Sequence, residues 1–212
     1  MKPSTLLRLL VGIGASLLPL IAVVDPATSR EVILMRHADK DVRRGDYNLS
    51  PAGFARAIAL ARLIPACLGA PTGITTFYFD PQTSKNARSY QSAVPLAVAT
   101  GVPIQIAVNS PSESFAIGHQ LRLRQGPADE RLVLFWEHRR MPELARGLGW
   151  EGMVPIGPED FDQLFVFRYA KPGTLPQVKS YRQSELLQRP CYTQAPSRLG
   201  DTSALPSPAR RR

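Results

Sequence analysis

Arg36 and His37 follow directly on an apolar run, Val32 to Met35. A guanidinium beside an imidazole is equipped to work on an anion. The planar fork of arginine makes two parallel charge-assisted bonds to phosphate oxygens, and a histidine held next to it can attack phosphorus in line. Two further positions offer the same chemistry, Arg88 and, after the run Arg131 to Trp136, His138. Two guanidiniums and two imidazoles converging on one crevice would bind a tetrahedral dianion. Positioning and charge neutralisation do most of the work in phosphoryl transfer, so no metal is required. Of three histidines two are used here, and neither cysteine lies near these residues, so no cluster at metal-ligand spacing remains and no cofactor is expected.

These side chains must be delivered by strand ends, because loops at the carboxyl edge of an α/β sheet gather polar groups around a crevice. The chain has the alternation this needs. After the first strand, Ser50 stands as an N-cap and Pro51 at the first helical position of a helix ending near Pro65. A strand is predicted over Ile74 to Phe79, a helix over Ala87 to Thr100 with a kink at Pro95, and a strand over Ile104 to Val108. A helical stretch from Ser114 to Gln125, the strand Arg131 to Trp136, a helix over Pro142 to Leu148, and strands Leu164 to Tyr169 and Gln177 to Tyr181 follow. This order predicts a three-layer α/β/α sandwich around a mostly parallel sheet.

The net charge of +9 sits mostly at the ends: +2 in residues 1–30 and +4 in residues 189–212, leaving +3 for the body. A nucleic-acid partner is therefore not expected. Lys2 and Arg8 precede an apolar run from Leu9 to Val24 without a polar face, the layout of an export signal or, if uncleaved, a membrane anchor. The expected organisation is a signal or tether at 1–30, one domain at 31–188 and a disordered basic tail at 189–212, with the body exported, periplasmic or extracellular. An oxidising compartment would permit a bridge between Cys67 and Cys191, and two unpaired thiols are the equal alternative.

With these residues in place the sequence resembles the histidine phosphatase, or phosphoglycerate mutase-like, superfamily over about residues 31 to 170. The family's strand followed by Arg-His-Gly stands here as Leu34-Met35-Arg36-His37-Ala38. Its serine four residues before an arginine, with a small pair four residues after, stands as Ser84, Arg88 and Ser92-Ala93. Its late strand ending in Gly-His stands as VLFWEH, with Glu137 in the glycine's place. The resemblance implies a metal-independent phosphomonoesterase for a small phosphorylated substrate. His37 would form a phosphohistidine, Arg36 and Arg88 would hold the phosphoryl oxygens, and His138 would hydrogen-bond the phosphoryl group. The proton donor is left to Glu137, Glu113 or Asp39, with Glu137 favoured. Glu137 enters the crevice only if the strand has ended before it, because adjacent strand residues face opposite ways. A silent binder of phospho-ligands that kept the clamp and lost the acid is the alternative. His119 reads as a surface histidine.

Overall fold

The structure, a computed structural model, describes residues 30–196 apart from 42, 44, 108–110 and 128. The apolar run at 9–24 and most of the tail, 197–212, lie outside the described residues. Six strands form one sheet: β1 (Arg30–Arg36), β2 (Gly73–Thr76), β3 (Ile104–Ile106), β4 (Arg131–Trp136), β5 (Gln163–Tyr169) and β6 (Gln177–Arg182), in the order β3-β2-β4-β1-β5-β6. β1 to β4 are mutually parallel, and β5 and β6 run antiparallel at one edge.

Alternate residues of the central strands feed two separate cores. Val32, Leu34, Leu134 and Trp136 face one side, where they meet Met141 and Leu144 of α4 (Met141–Gly147) and Leu148 just past it, with α3 (Ser114–Leu123) packed on it. Ile33, Met35, Val133 and Phe135 face the other, against α1 (Pro51–Leu63) and α2 (Ala87–Thr100). Helices on both faces make the three-layer sandwich that the alternation predicted. The Ser50 cap behaves as the sequence indicated, its hydroxyl accepting from Gly53 N–H at 3.0 Å, and Gly101 ends α2 at φ +71°.

Three expectations change. Strand β2 stops at Thr76 rather than Phe79, because Phe77 packs edge-on to Trp136 and Phe79 stacks on Tyr90 of α2, pulling the chain off the sheet. Helix α1 ends at Leu63, and a wide helical turn, Ile64–Leu68, carries the chain past Pro65. Residues from 189 are not all tail: after α5 (Gln183–Leu186), α6 (Pro190–Thr193) continues the fold. Cys191 is bonded to Cys67 across 124 residues, and the Arg62 guanidinium lies over the Tyr192 ring while donating to the carbonyls of Tyr192 and Ala195. Composition misjudged this stretch because what holds it is a covalent bond and a few carbonyl contacts rather than apolar bulk.

Candidate active site

At the carboxyl edge of the sheet, Arg36, His37, Arg88, Glu137 and His138 line one cavity of about 440 Å³. His37 is the first residue past β1, where its N–H still bonds the Trp136 carbonyl at 3.1 Å. Its Nδ1 lies 2.7 Å from the Ala38 carbonyl. A carbonyl can only accept, so Nδ1 carries the proton and Nε2 keeps the lone pair. Burial holds the imidazole neutral, lowering its pKa from 6.5 to about 3, and the neighbouring cations Arg36 and Arg88 push the same way against the bond to Ala38. Ala38 N–H donates to the Ser92 hydroxyl at 2.9 Å, which donates to the Arg88 carbonyl at 2.8 Å. Ser92 thereby ties the histidine's backbone to α2. The Ala38 methyl is buried with Leu49 and Ala57, so alanine fits at the position where the motif has glycine.

Arg36 is 1% exposed, and its Nη1 donates to the carbonyls of Gly157 and Asp160, both at 3.1 Å. Its guanidinium stacks 3.9 Å over the Phe161 ring. Nε and Nη2, the two parallel donors along one edge, are buried without a partner. Such an edge is the fork with which an arginine can grip two oxygens of one anion. Burial lowers its pKa to about 10, and Glu137 is the largest opposing influence, so it stays charged at neutral pH.

Arg88 is used differently. Its Nε donates to the Asn48 carbonyl at 2.9 Å and its Nη2 to the Asp46 carbonyl. Gln91 of the same helix bonds Asn48 and Leu49, so α2 fastens the 46–49 loop at the cavity wall. The sequence assigned both arginines the same bidentate grip. Only Arg36 leaves that edge without a protein partner.

Glu137 follows the last residue of β4, so it and His138 both reach the cavity. Its carboxylate accepts from Arg139 Nε at 2.9 Å and Arg139 N–H at 3.1 Å. Oε1 also lies 2.9 Å from His138 Nδ1, out of line for a hydrogen bond, which leaves that buried nitrogen without a hydrogen-bond partner. Burial and the charge of Arg36 lower the His138 pKa against the pull of Glu137.

The other carboxylates considered lie outside the cavity lining. Asp39 is bound by Arg56, Nε to Oδ2 at 2.6 Å, and Glu113 ends a short helical turn leading into α3. His119 stacks against Phe115 in a separate groove on α3 and α4. Among the described residues no group of three His, Cys, Asp or Glu side chains is placed to hold a metal ion.

The sequence missed Lys40, Tyr47, Lys85, Asn86, Ser89, Arg139 and Pro158, which complete the lining. Lys85 and Asn86 lie inside the Ser84 to Arg88 motif, the one signal that pointed to them. The loop that seats Arg36, residues 157–161, carries no sequence signal.

Neither a family model nor a curated protein sequence matches the chain. Among solved structures it is similar to the protein histidine phosphatase SixA complexed with tungstate, at 13% identity and a TM-score of 0.50, over 74% of this chain and 99% of that one. A mycobacterial glucosyl-3-phosphoglycerate phosphatase follows at 14% identity and a TM-score of 0.47, over 72% and 99%. A mycobacterial hydrolase stands at the same identity and score, over 72% and 89%. The chain thus shares the α/β fold of the first of these solved structures.

Proposed function

We propose that the chain is a metal-independent phosphomonoester hydrolase working through a phosphohistidine at His37. The observation that carries this is the pairing of two prepared groups in one cavity: a neutral imidazole with its Nε2 lone pair available, and an arginine edge with two unpaired donors beside it. In this reading Arg36 grips two phosphoryl oxygens and His138 bonds a third. His37 Nε2 attacks phosphorus while the ester P–O bond breaks, and the departing oxygen takes a proton from Glu137, which lines the cavity and enters this step as the neutral carboxylic acid. Water then attacks the phosphohistidine, returns its proton to Glu137 and releases inorganic phosphate.

The test is chemical trapping. Labelled phosphate ester should leave acid-labile, base-stable label on the wild type and none on His37→Ala, and turnover should survive EDTA. Loss of activity on chelation, restored by a divalent ion, would overturn the mechanism.

One observation favours a silent phospho-ligand binder: Arg139 holds the Glu137 carboxylate through two hydrogen bonds. Vanadate binding without turnover of p-nitrophenyl phosphate would select that reading. The Cys67–Cys191 bond supports work outside the cytosol, because such bonds persist in oxidising compartments. We propose that residues 1–29, ahead of β1, serve as its export signal or membrane tether, and fractionation of the full chain tests this.

A further inference from the structure

We propose that the cavity contains a second anion-binding subsite, formed by Lys85 and Lys40, and that the substrate carries a second negative group, phosphate or carboxylate, beyond the reacting phosphoryl. This rests on assigning the reacting phosphoryl to Arg36, His37 and His138.

The charges in the cavity exceed what one phosphoryl group uses. Arg36, Arg88, Lys40, Lys85 and Arg139 all line it, against one carboxylate, Glu137, which already accepts two hydrogen bonds from Arg139. Arg88 spends its fork on the 46–48 carbonyls. The two lysines remain. The Lys40 ammonium has a carboxylate only at 3.8 Å, Glu159, whose side chain is 69% exposed. Such a pair is weak and screened.

Lys85 is held in place by its turn. It sits between Ser84 at φ +60° and Asn86 at φ +65°, the non-glycine residues with positive φ among those described. Such conformations cost free energy and persist only where the surroundings impose them. Here Asp80 imposes them. Its N–H donates to the Lys85 carbonyl at 3.0 Å, and its carboxylate accepts from Gln82 N–H at 2.9 Å and the Thr83 hydroxyl at 2.5 Å. The turn thus satisfies its own polar groups and fixes the Lys85 backbone where the residue lines the cavity. A volume of about 440 Å³ is small-molecule sized and leaves room beyond a phosphoryl group for a second charged one.

The experiment uses the full chain and Lys40→Met/Lys85→Met, with folding checked by circular dichroism. Binding of orthophosphate, pyrophosphate and tripolyphosphate is measured by calorimetry. Wild type should bind the longer anions about tenfold or more tighter than orthophosphate, and the double variant should lose most of that preference. Lys40→Arg/Lys85→Arg should restore it. In parallel, kcat/KM for a sugar bisphosphate and for a phosphorylated hydroxy acid is compared with that for p-nitrophenyl phosphate. The variant's loss should be at least tenfold larger on whichever doubly anionic ester wild type prefers, which also tells phosphate from carboxylate. Equal affinity of wild type for all three anions, or a parallel loss on every ligand, overturns the subsite. Anion discrimination without ester turnover would overturn the hydrolase reading and leave the subsite standing.

Discussion

Strand β1 begins and ends in charge, and the two ends are treated in opposite ways. At its start, the buried Glu31 carboxylate accepts from Arg131 at 2.8 Å and Arg168 at 2.7 Å. Glu130 accepts from Arg30 at 2.6 Å and from Arg124. Each carboxylate there has two guanidiniums. At its other end the Arg36 edge has no partner, His37 is kept neutral, and cations outnumber carboxylates. A buried charge left unpaired is costly, so the fold tolerates one only where something else supplies the partner. At the start only Arg30 Nη2 is left over once the charges are paired; at the end a whole arginine edge, Nε and Nη2 of Arg36, lacks a protein partner, which suits the anion of the proposed function.

Breaking the open end should cost activity and spare the fold. His37→Ala should lower turnover by a factor of about 10³ or more, with an unchanged circular dichroism spectrum. Residual activity above a few per cent in the folded variant would remove His37 from the chemistry.

Breaking the closed end should do the reverse. Glu130→Ala leaves the Arg30 guanidinium buried and uncompensated, and should lower stability by about 3 to 5 kcal/mol in urea unfolding. Its folded fraction should turn over substrate at the wild-type rate. A variant as stable as wild type would show that the closed cluster contributes nothing to folding.

The two arginines of the cavity sharpen the contrast. Arg36→Lys loses a two-donor grip on the phosphoryl group and should cost about a hundredfold in kcat/KM, near 3 kcal/mol. Arg88→Lys should cost about tenfold, chiefly because the 46–48 loop loses its fastening. Equal losses would mean that the fork of Arg88 leaves the loop when substrate binds.

The last effect is on acid stability. His37 has a pKa near 3 in the fold against 6.5 unfolded, so between those values the unfolded chain binds more protons. Its contribution is therefore fully present above pH 6.5 and is lost as pH falls towards 3, by at most about 1.4 kcal/mol per pH unit. Wild type should lose stability faster than His37→Ala in that window, and parallel curves would contradict the neutral, buried assignment.

The strand-end residues were legible in the sequence because an apolar run interrupted by Arg-His or Glu-His has one physical reading, a buried strand meeting an edge. The two cores follow from the same runs. The different uses of Arg36 and Arg88 were not legible, since they depend on carbonyls of residues 157 and 160 in one case and 46 and 48 in the other. Carbonyls are common to every residue and leave no trace in composition. Lys85 was hidden for a related reason: its placement comes from backbone angles at Ser84 and Asn86, neither of which is glycine. The bridge between Cys67 and Cys191 was one of two open alternatives, and only the packing of α6 against the turn after α1 decides it.

That bridge also changes what the molecule does under tension. With residues 67 and 191 joined, a pull on the two ends of the chain bypasses everything between them, and about 400 Å of contour length cannot be paid out. The load falls on residues 30–67, and β1 is the strand within them. It lies between β4 and β5, so extracting it means shearing two ladders at once. The strand that delivers Arg36 and His37 is thus the mechanical clamp of the protein.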